Sequence, residues 1–283
     1  MAYEALLTSL LYGFIEGSLY ALLGVGLALA LGVMKIVNLA HGAFAVLGAY
    51  LLISLSASLH LPLFITFLLS MALVGVIGLG AYIIVVDKVV VHELSTLVTT
   101  YGLELIIANL ILSIYGGATL TYSLGLGTLS IGGVVVGFDR LLVTSIALAS
   151  ILSLHLFLKK TYLGRAMRAV ADDIEAAGLM GINPKKIYAM SYAICALLGC
   201  LFGLSFVTTH YVNPMISGLL NLKAFVVTVL SGGNLVLALI AGITLGLCET
   251  TITSFVLPTA YQNIVPFTIL LIALTILKRK RRL

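Results

Sequence analysis

The stretch IVNLAHGAFAVLGAYLLISLSASLHLPLFITFLLSMALVGVIGLGAYIIVV, Ile36–Val86, contains no Asp, Glu, Lys or Arg. A membrane helix needs about 20 mostly apolar residues to cross a hydrocarbon core of about 30 Å. The run is therefore long enough for two spans, with His60-Leu61-Pro62 as the turn between them. Working outward, further apolar stretches cover Ala5–Val33, Leu94–Tyr115, Leu141–Leu158, Ile187–Thr208, Leu222–Leu230, Leu235–Leu257 and Ile264–Leu277. Eight or nine crossings result, depending on the short segment Leu222–Leu230. None of these runs alternates with the period of two that a barrel strand requires. The predicted fold is an all-α polytopic membrane protein, one transmembrane domain over residues 1–283.

Composition agrees. Only 9% of the 283 residues are charged and 61% are hydrophobic, whereas soluble domains carry about 25% charged residues. Mean hydropathy is +1.23. A soluble enzyme, a disulfide scaffold and a disordered chain are excluded, and nothing is left to present nucleic acid with a basic surface. The start MAYEALL lacks the positive region of a cleavable signal and reads as the first span. Cys195, Cys200 and Cys248 all fall in apolar runs, with no C-x-x-C pair, and read as small buried hydrophobes.

Charge placement predicts orientation. Of 15 Lys and Arg residues, five form the tail 278–282 (the basic end, 278–283) and six lie within 159–186. The positive-inside rule puts both segments in the cytoplasm, near anionic lipid. Lys35 and Lys88 then fall inside, Arg140 and Lys223 outside, and the N-terminus is external. Two cytoplasmic ends require an even number of spans between Lys186 and Lys278, so Leu222–Leu230 crosses or is a short broken helix.

Three segments lie outside the spans. The external 119–139 stretch is Gly-rich with short β-branched runs, which predicts one or two small strands. External 210–221 is a turn-rich linker around Asn213-Pro214. The cytoplasmic loop 159–186 predicts a helix over Ala166–Met180, stopped by Gly181 and Asn183-Pro184. A short helix held between two spans suits docking to a soluble partner; the plain alternative is a solvated connection.

Polar groups within the spans are costly, about 2.5–3.5 kcal/mol for a central charge. Glu16, Glu104 and Glu249 fall near mid-depth. They line or gate a path, or bind the ammonium of an amino acid, or else hydrogen-bond between helices or to buried waters. Asn109 follows Glu104 by five residues. Tyr20, one turn from Glu16 on the same face, is placed to orient that carboxylate. Asn38 and His41 sit at the cytoplasmic turn between the first two spans, where Asn38 is predicted to cap the second helix and His41 to shuttle protons or support packing. Gly13/Gly17, Gly199/Gly203 and Gly242/Gly246 have the small-xxx-small spacing of close helix contacts.

No catalytic, cofactor or metal constellation is legible. A G-x-x-x-x-G-K-[ST] phosphate loop, H-E-x-x-H and G-x-S-x-G are all missing from the sequence. The residues leave a subunit whose cytoplasmic loop docks a soluble partner, an ion-coupled secondary transporter or channel using Glu16, Glu104 and Glu249, or a membrane scaffold.

A resemblance separates them. Gly17-Ser18-Leu19-Tyr20-Ala21-Leu22, Gly24, Gly26-Leu27, Gly32, Asn38-Leu39-Ala40-His41-Gly42 and Leu47-Gly48-Ala49-Tyr50 resemble the N-terminal signature of the branched-chain amino acid ABC permease family, its LivH-like subunits in particular. Glu175-Ala176-Ala177 followed by Gly181 resembles the coupling segment of ABC importer permeases, and Leu222–Val227 with Gly232-Gly233 a later family motif. The chain departs from the family at Asn234-Leu235-Val236, where further Gly and a Ser are usual, and at its basic tail. The resemblance implies a permease of the branched-chain amino acid/ribose type. Its partners would be a homologous second permease, two cytoplasmic ABC ATPases that bind Mg-ATP, and an external substrate-binding protein. Asp172, Asp173, Glu175, Ala176, Ala177, Gly178 and Gly181 would form the ATPase-coupling segment, and the substrate would be a branched-chain or related small amino acid.

Overall fold

The structure, a computed structural model, describes residues 2–90, 92–131, 133–256, 258 and 261–280. Its long helices are α1 (Ala2–Met34), α2 (His41–Leu59), α3 (Leu63–Ile84), α4 (Glu93–Tyr115) and α5 (Phe138–Lys160). Two short helices follow, α6 (Tyr162–Asp172) and α7 (Ile174–Leu179), then α8 (Pro184–Phe206), α9 (Ser217–Ser231), α10 (Leu235–Phe255) and α11 (Ile264–Lys280). Among the described residues, eight helices are long and apolar enough to cross a membrane, and α11 adds a shorter apolar one over 264–275. That matches the eight or nine spans expected.

Helix α1 is the hub, lying against α10, α8, α9 and α5 and buried without interruption from Ile15 to Ala30. Lipid gives helices no hydrophobic reason to associate, so close contact relies on small residues. A methyl group on Gly17 would run into the Ile243 backbone, one on Gly242 into Ala21, and one on Gly246 into Gly17. The pair Gly199 and Gly203 does the same for α8 against the His41 and Ala45 carbonyls of α2. The glycine pairs therefore pack helices within the subunit.

The α1–α2 junction differs from expectation. The chain turns at Lys35, where φ is +56°, and runs back inward beside α1. His41 Nε2 lies 2.9 Å from the Leu23 carbonyl, eleven residues before the end of α1 and about 16 Å up its axis. Asn38 and His41 also meet Cys195, at the middle of α8. They stand at the centre of the bundle, with α2 starting there, rather than at a cytoplasmic turn. A run without charges shows where the chain can be buried, not where it turns.

The loop expected as one helix is two. Asp173 breaks it in an extended conformation (φ −150°, ψ 110°), and its Oδ1 accepts from the backbone N–H groups of Glu175 at 2.9 Å and Ala176 at 3.0 Å. It thereby caps α7. Gly181 follows with φ +82°, and Asn183 caps α8 with Pro184 in the first turn.

The expected external strands form a hairpin, β1 (Thr128–Ile131) paired antiparallel with β2 (Val134–Gly137). Val134 and Val136 pack with Ile15 of α1, and Tyr12 Oη donates to the Val135 carbonyl at 3.1 Å. Leu120 pairs with Val212, tying the 119–127 segment to the chain that leaves α8.

Candidate functional site

Buried polar groups gather at three levels along α1. At the first, Glu16 lies 3.1 Å from His210 Nε2 and 3.6 Å from Arg140 Nη1. The His210 ring stacks on Phe206 at 4.2 Å, and the Arg140 guanidinium covers the Tyr12 ring at 4.6 Å.

One turn along, Tyr20 does not orient Glu16 as expected. Its hydroxyl accepts from Lys223 Nζ at 2.7 Å, and Lys223 also donates to Glu249 Oε1 at 2.7 Å. Glu249 is 1% exposed and Lys223 9%. Lys223 is thus buried between α1, α9 and α10 rather than lying at the external end of a span. Alone, each charge would cost about 2.5–3.5 kcal/mol at membrane depth; paired, they neutralise one another.

The third level surrounds the start of α2. With Nε2 against the Leu23 carbonyl, His41 carries its proton there, so Nδ1 accepts from the Cys195 thiol at 3.2 Å. Asn38 Nδ2 donates to Cys195 Sγ at 3.7 Å, and Asn38 Oδ1 accepts from Tyr192 Oη at 3.1 Å and from the Ala40 N–H at 3.1 Å. Asn38 thus serves the N–H of Ala40 rather than capping α2 as expected: Ala40 holds the N-cap position and no side chain makes a cap bond there. Asn221 of α9 completes the job, accepting from the Gly42 N–H at 2.6 Å and donating to the Leu39 carbonyl. A helix starting in a dry interior leaves N–H groups that water cannot reach; side chains from α9 and the α1–α2 link reach two of them.

Glu104 adjoins this level. Its Oε1 accepts from Ser217 Oγ at 2.9 Å at the N-terminus of α9, where the helix dipole favours a carboxylate. Gly218, the next residue, is exposed, and a side chain added there would meet Glu104 Oε1 in ordinary contact at 3.8 Å. Asn109 is not part of the cluster: it is exposed, and its Nδ2 donates to the Leu105 carbonyl of its own helix at 2.7 Å.

At the far end of α5 and α8, the α6–α7 elbow projects from the bundle. Ala177 is buried and anchors it, while Asp172, Asp173, Glu175, Ala176, Gly178 and Gly181 are exposed. Leu179 and Met180 are 89% and 83% exposed.

The family model described as branched-chain amino acid transport system / permease component matches residues 9–274. The chain belongs to that family. A high-affinity branched-chain amino acid transport system permease protein, BraD of Pseudomonas aeruginosa, is 27% identical over 95% of this chain and 92% of its own. Its counterpart LivH of Escherichia coli is 28% identical, over 94% and 91%. A probable LivH of Methanocaldococcus jannaschii is 23% identical, over 85% and 79%. PsaBC from Streptococcus pneumoniae, solved in complex with a Fab, aligns over 96% of this chain and 90% of that one at 14% identity and a TM-score of 0.47.

This permease is a multi-pass membrane transport subunit and not an enzyme. Two of the three acids on which an ion-coupled mechanism would draw, Glu16 and Glu249, are already matched by cations. Sequence reading missed those partners. Lys223 gave little signal, since it stands second in the run Leu222–Leu230, where a lysine side chain can reach an interface. Ser217 and Asn221 gave no signal, because their role depends on where α2 begins. Leu179 and Met180 fall within the helix expected over Ala166–Met180, and nothing in that pattern marks them as facing outward. The three cysteines also divide: Cys195 and Cys200 are buried as expected, while Cys248 is exposed.

Proposed function

We propose that this permease forms one half of the pathway of an ATP-driven importer for branched-chain or closely related small amino acids. A second, homologous permease completes the pathway, two cytoplasmic ATPases supply Mg-ATP hydrolysis, and an external binding protein delivers the solute. Thirteen of the 15 Lys and Arg residues fall on one side in this arrangement, which puts the C-terminus in the cytoplasm and the N-terminus outside.

The observation that carries the reading is the Asp173-capped elbow, which holds Leu179 and Met180 away from the bundle. Two large apolar side chains left in water on a rigid short helix mark a contact surface. A carrier driven by ions has no use for it. Closure of the ATPases against the elbow would move α6 and α7, and α6 bears on α5, α8 and α1. The displacement thereby reaches the helices that hold the buried polar levels, and the pathway opens alternately to either side. Glu104, next to the exposed Gly218, would meet the ammonium group of a passing amino acid.

The test is reconstitution of the full complex in proteoliposomes with labelled leucine. Leu179→Asp with Met180→Asp is expected to release the ATPases and abolish ATP-dependent uptake while the permease still inserts. Solute movement by this chain alone, down an ion gradient and without ATP, would overturn the reading.

A further inference from the structure

Helices α3 and α5 both rest on α8 without closing on each other, leaving a slot floored by α8. Its outer section has a volume of about 530 Å³, between Phe64 and Phe67 of α3 and Leu142 of α5. An inner section of about 480 Å³ continues it, and Met71, Ile146, Ser150 and Leu201 belong to both. One helix turn further lies a third hollow of about 540 Å³, between α6 and α8, lined by Tyr162, Leu163 and Lys186 among others.

The floor is one face of α8. Leu204, Leu201, Leu197, Ile194, Met190 and Lys186 recur at steps of three and four, the spacing of a single helical stripe. Five of the six are apolar, and the sixth is a cation at the end where the slot leaves the bundle. Lys160 and Arg165 lie at the α5–α6 corner, either side in sequence of Tyr162 and Leu163, which line the third hollow, and Arg165 Nη1 donates to the Lys160 carbonyl at 3.3 Å. Among the described residues, Lys160, Arg165 and Lys186 have no carboxylate within 4.0 Å, whereas Lys185 beside them pairs with Asp87 at 3.5 Å.

We propose that this slot is a binding site for an anionic phospholipid, with its headgroup at Lys186, Lys160 and Arg165 and an acyl chain along α8. Both halves of the molecule are matched. The stripe from Lys186 to Leu204 covers about 27 Å, close to the thickness of the hydrocarbon core, and its sections have the size of pockets that take small ligands. Unpaired cations at the membrane boundary select a negative headgroup, each contributing about 1 kcal/mol near an anionic surface. The site is independent of the transported solute.

Native mass spectrometry of the full chain, loaded with equal phosphatidylglycerol and phosphatidylcholine, tests it. Wild type is expected to retain phosphatidylglycerol in preference. Lys160→Gln with Lys186→Gln, both on the surface, should lower that retention about fivefold per charge and leave phosphatidylcholine unchanged. Ser150→Trp, filling the waist of the slot, should reduce both lipids. Equal retention of the two lipids by wild type, or undiminished phosphatidylglycerol in the lysine variant, would refute the site. So would displacement of the lipid by glycerol phosphate alone, or a chain dimer that Ser150→Trp dissolves.

Discussion

Lys223 and Glu249 have meaning only together. Removing the lysine leaves a carboxylate 1% exposed with its Oε2 already lacking a partner, and stranding one member of a buried pair typically costs 3–5 kcal/mol. Lys223→Met is therefore expected to lower stability by about that much, and Lys223→Met with Glu249→Leu to recover most of it. Denaturant unfolding in detergent reads both. Equal losses in the single and double variants would show that the pair does not couple α1, α9 and α10. Asn221 makes a different point, since its amide serves backbone groups of another helix. Asn221→Leu leaves the Gly42 N–H and the Leu39 carbonyl unpaired in a dry interior, at about 1–3 kcal/mol for each unsatisfied group. Amide exchange at Gly42 should quicken markedly, while exchange in α10 stays as in wild type.

At the scale of elements, the positions where backbones touch are the least forgiving. A side chain at Gly203 would occupy the place of the Ala45 carbonyl, whereas nothing stands within 4 Å of a side chain added at Gly80. Gly203→Ala should abolish monodisperse protein in detergent, and Gly80→Ala should be neutral or stabilise by up to about 1 kcal/mol. The elbow is tuned more finely. Asp173→Ala removes the cap of α7, worth about 1 kcal/mol, so exchange across 174–179 should accelerate and Asp173→Ser should restore it. These elements also show what the sequence could disclose. Spans were legible because apolar length is a local property, and the hairpin because a Gly pair separates short runs that contain β-branched residues. The break at Asp173 was not, since Asp172-Asp173 reads equally as a solvated helix face. The mid-depth start of α2 was hidden for another reason: Lys35 at φ +56° redirects the chain, and only contacts with Leu23 and Cys195, far away in sequence, fix where the next helix begins.

For the whole molecule, the open quantity is which end faces which compartment, and it can be tied to the buried architecture. The hairpin and the Glu16–Arg140–His210 cluster occupy one end, and the α6–α7 elbow with the cationic ends of α5 and α8 the other. Because α5 joins the two ends as a single helix of 23 residues, about 34 Å long, they cannot share a side of the bilayer. In the proposed orientation the six positive charges within 159–186, on the elbow side, set the direction during insertion. The native thiols make the experiment clean: Cys195 and Cys200 are buried, and Cys248→Ser removes the exposed one. In that background, Ser123→Cys on the hairpin side is expected to react with a membrane-impermeant maleimide on intact spheroplasts. Gly178→Cys on the elbow should react only after the cells are opened. The reverse pattern would place the elbow outside, where no nucleotide is supplied, and with it the ATP-driven reading would fall; equal labelling of both would mean that the chain inserts in two directions and that its charge bias is too weak to orient it.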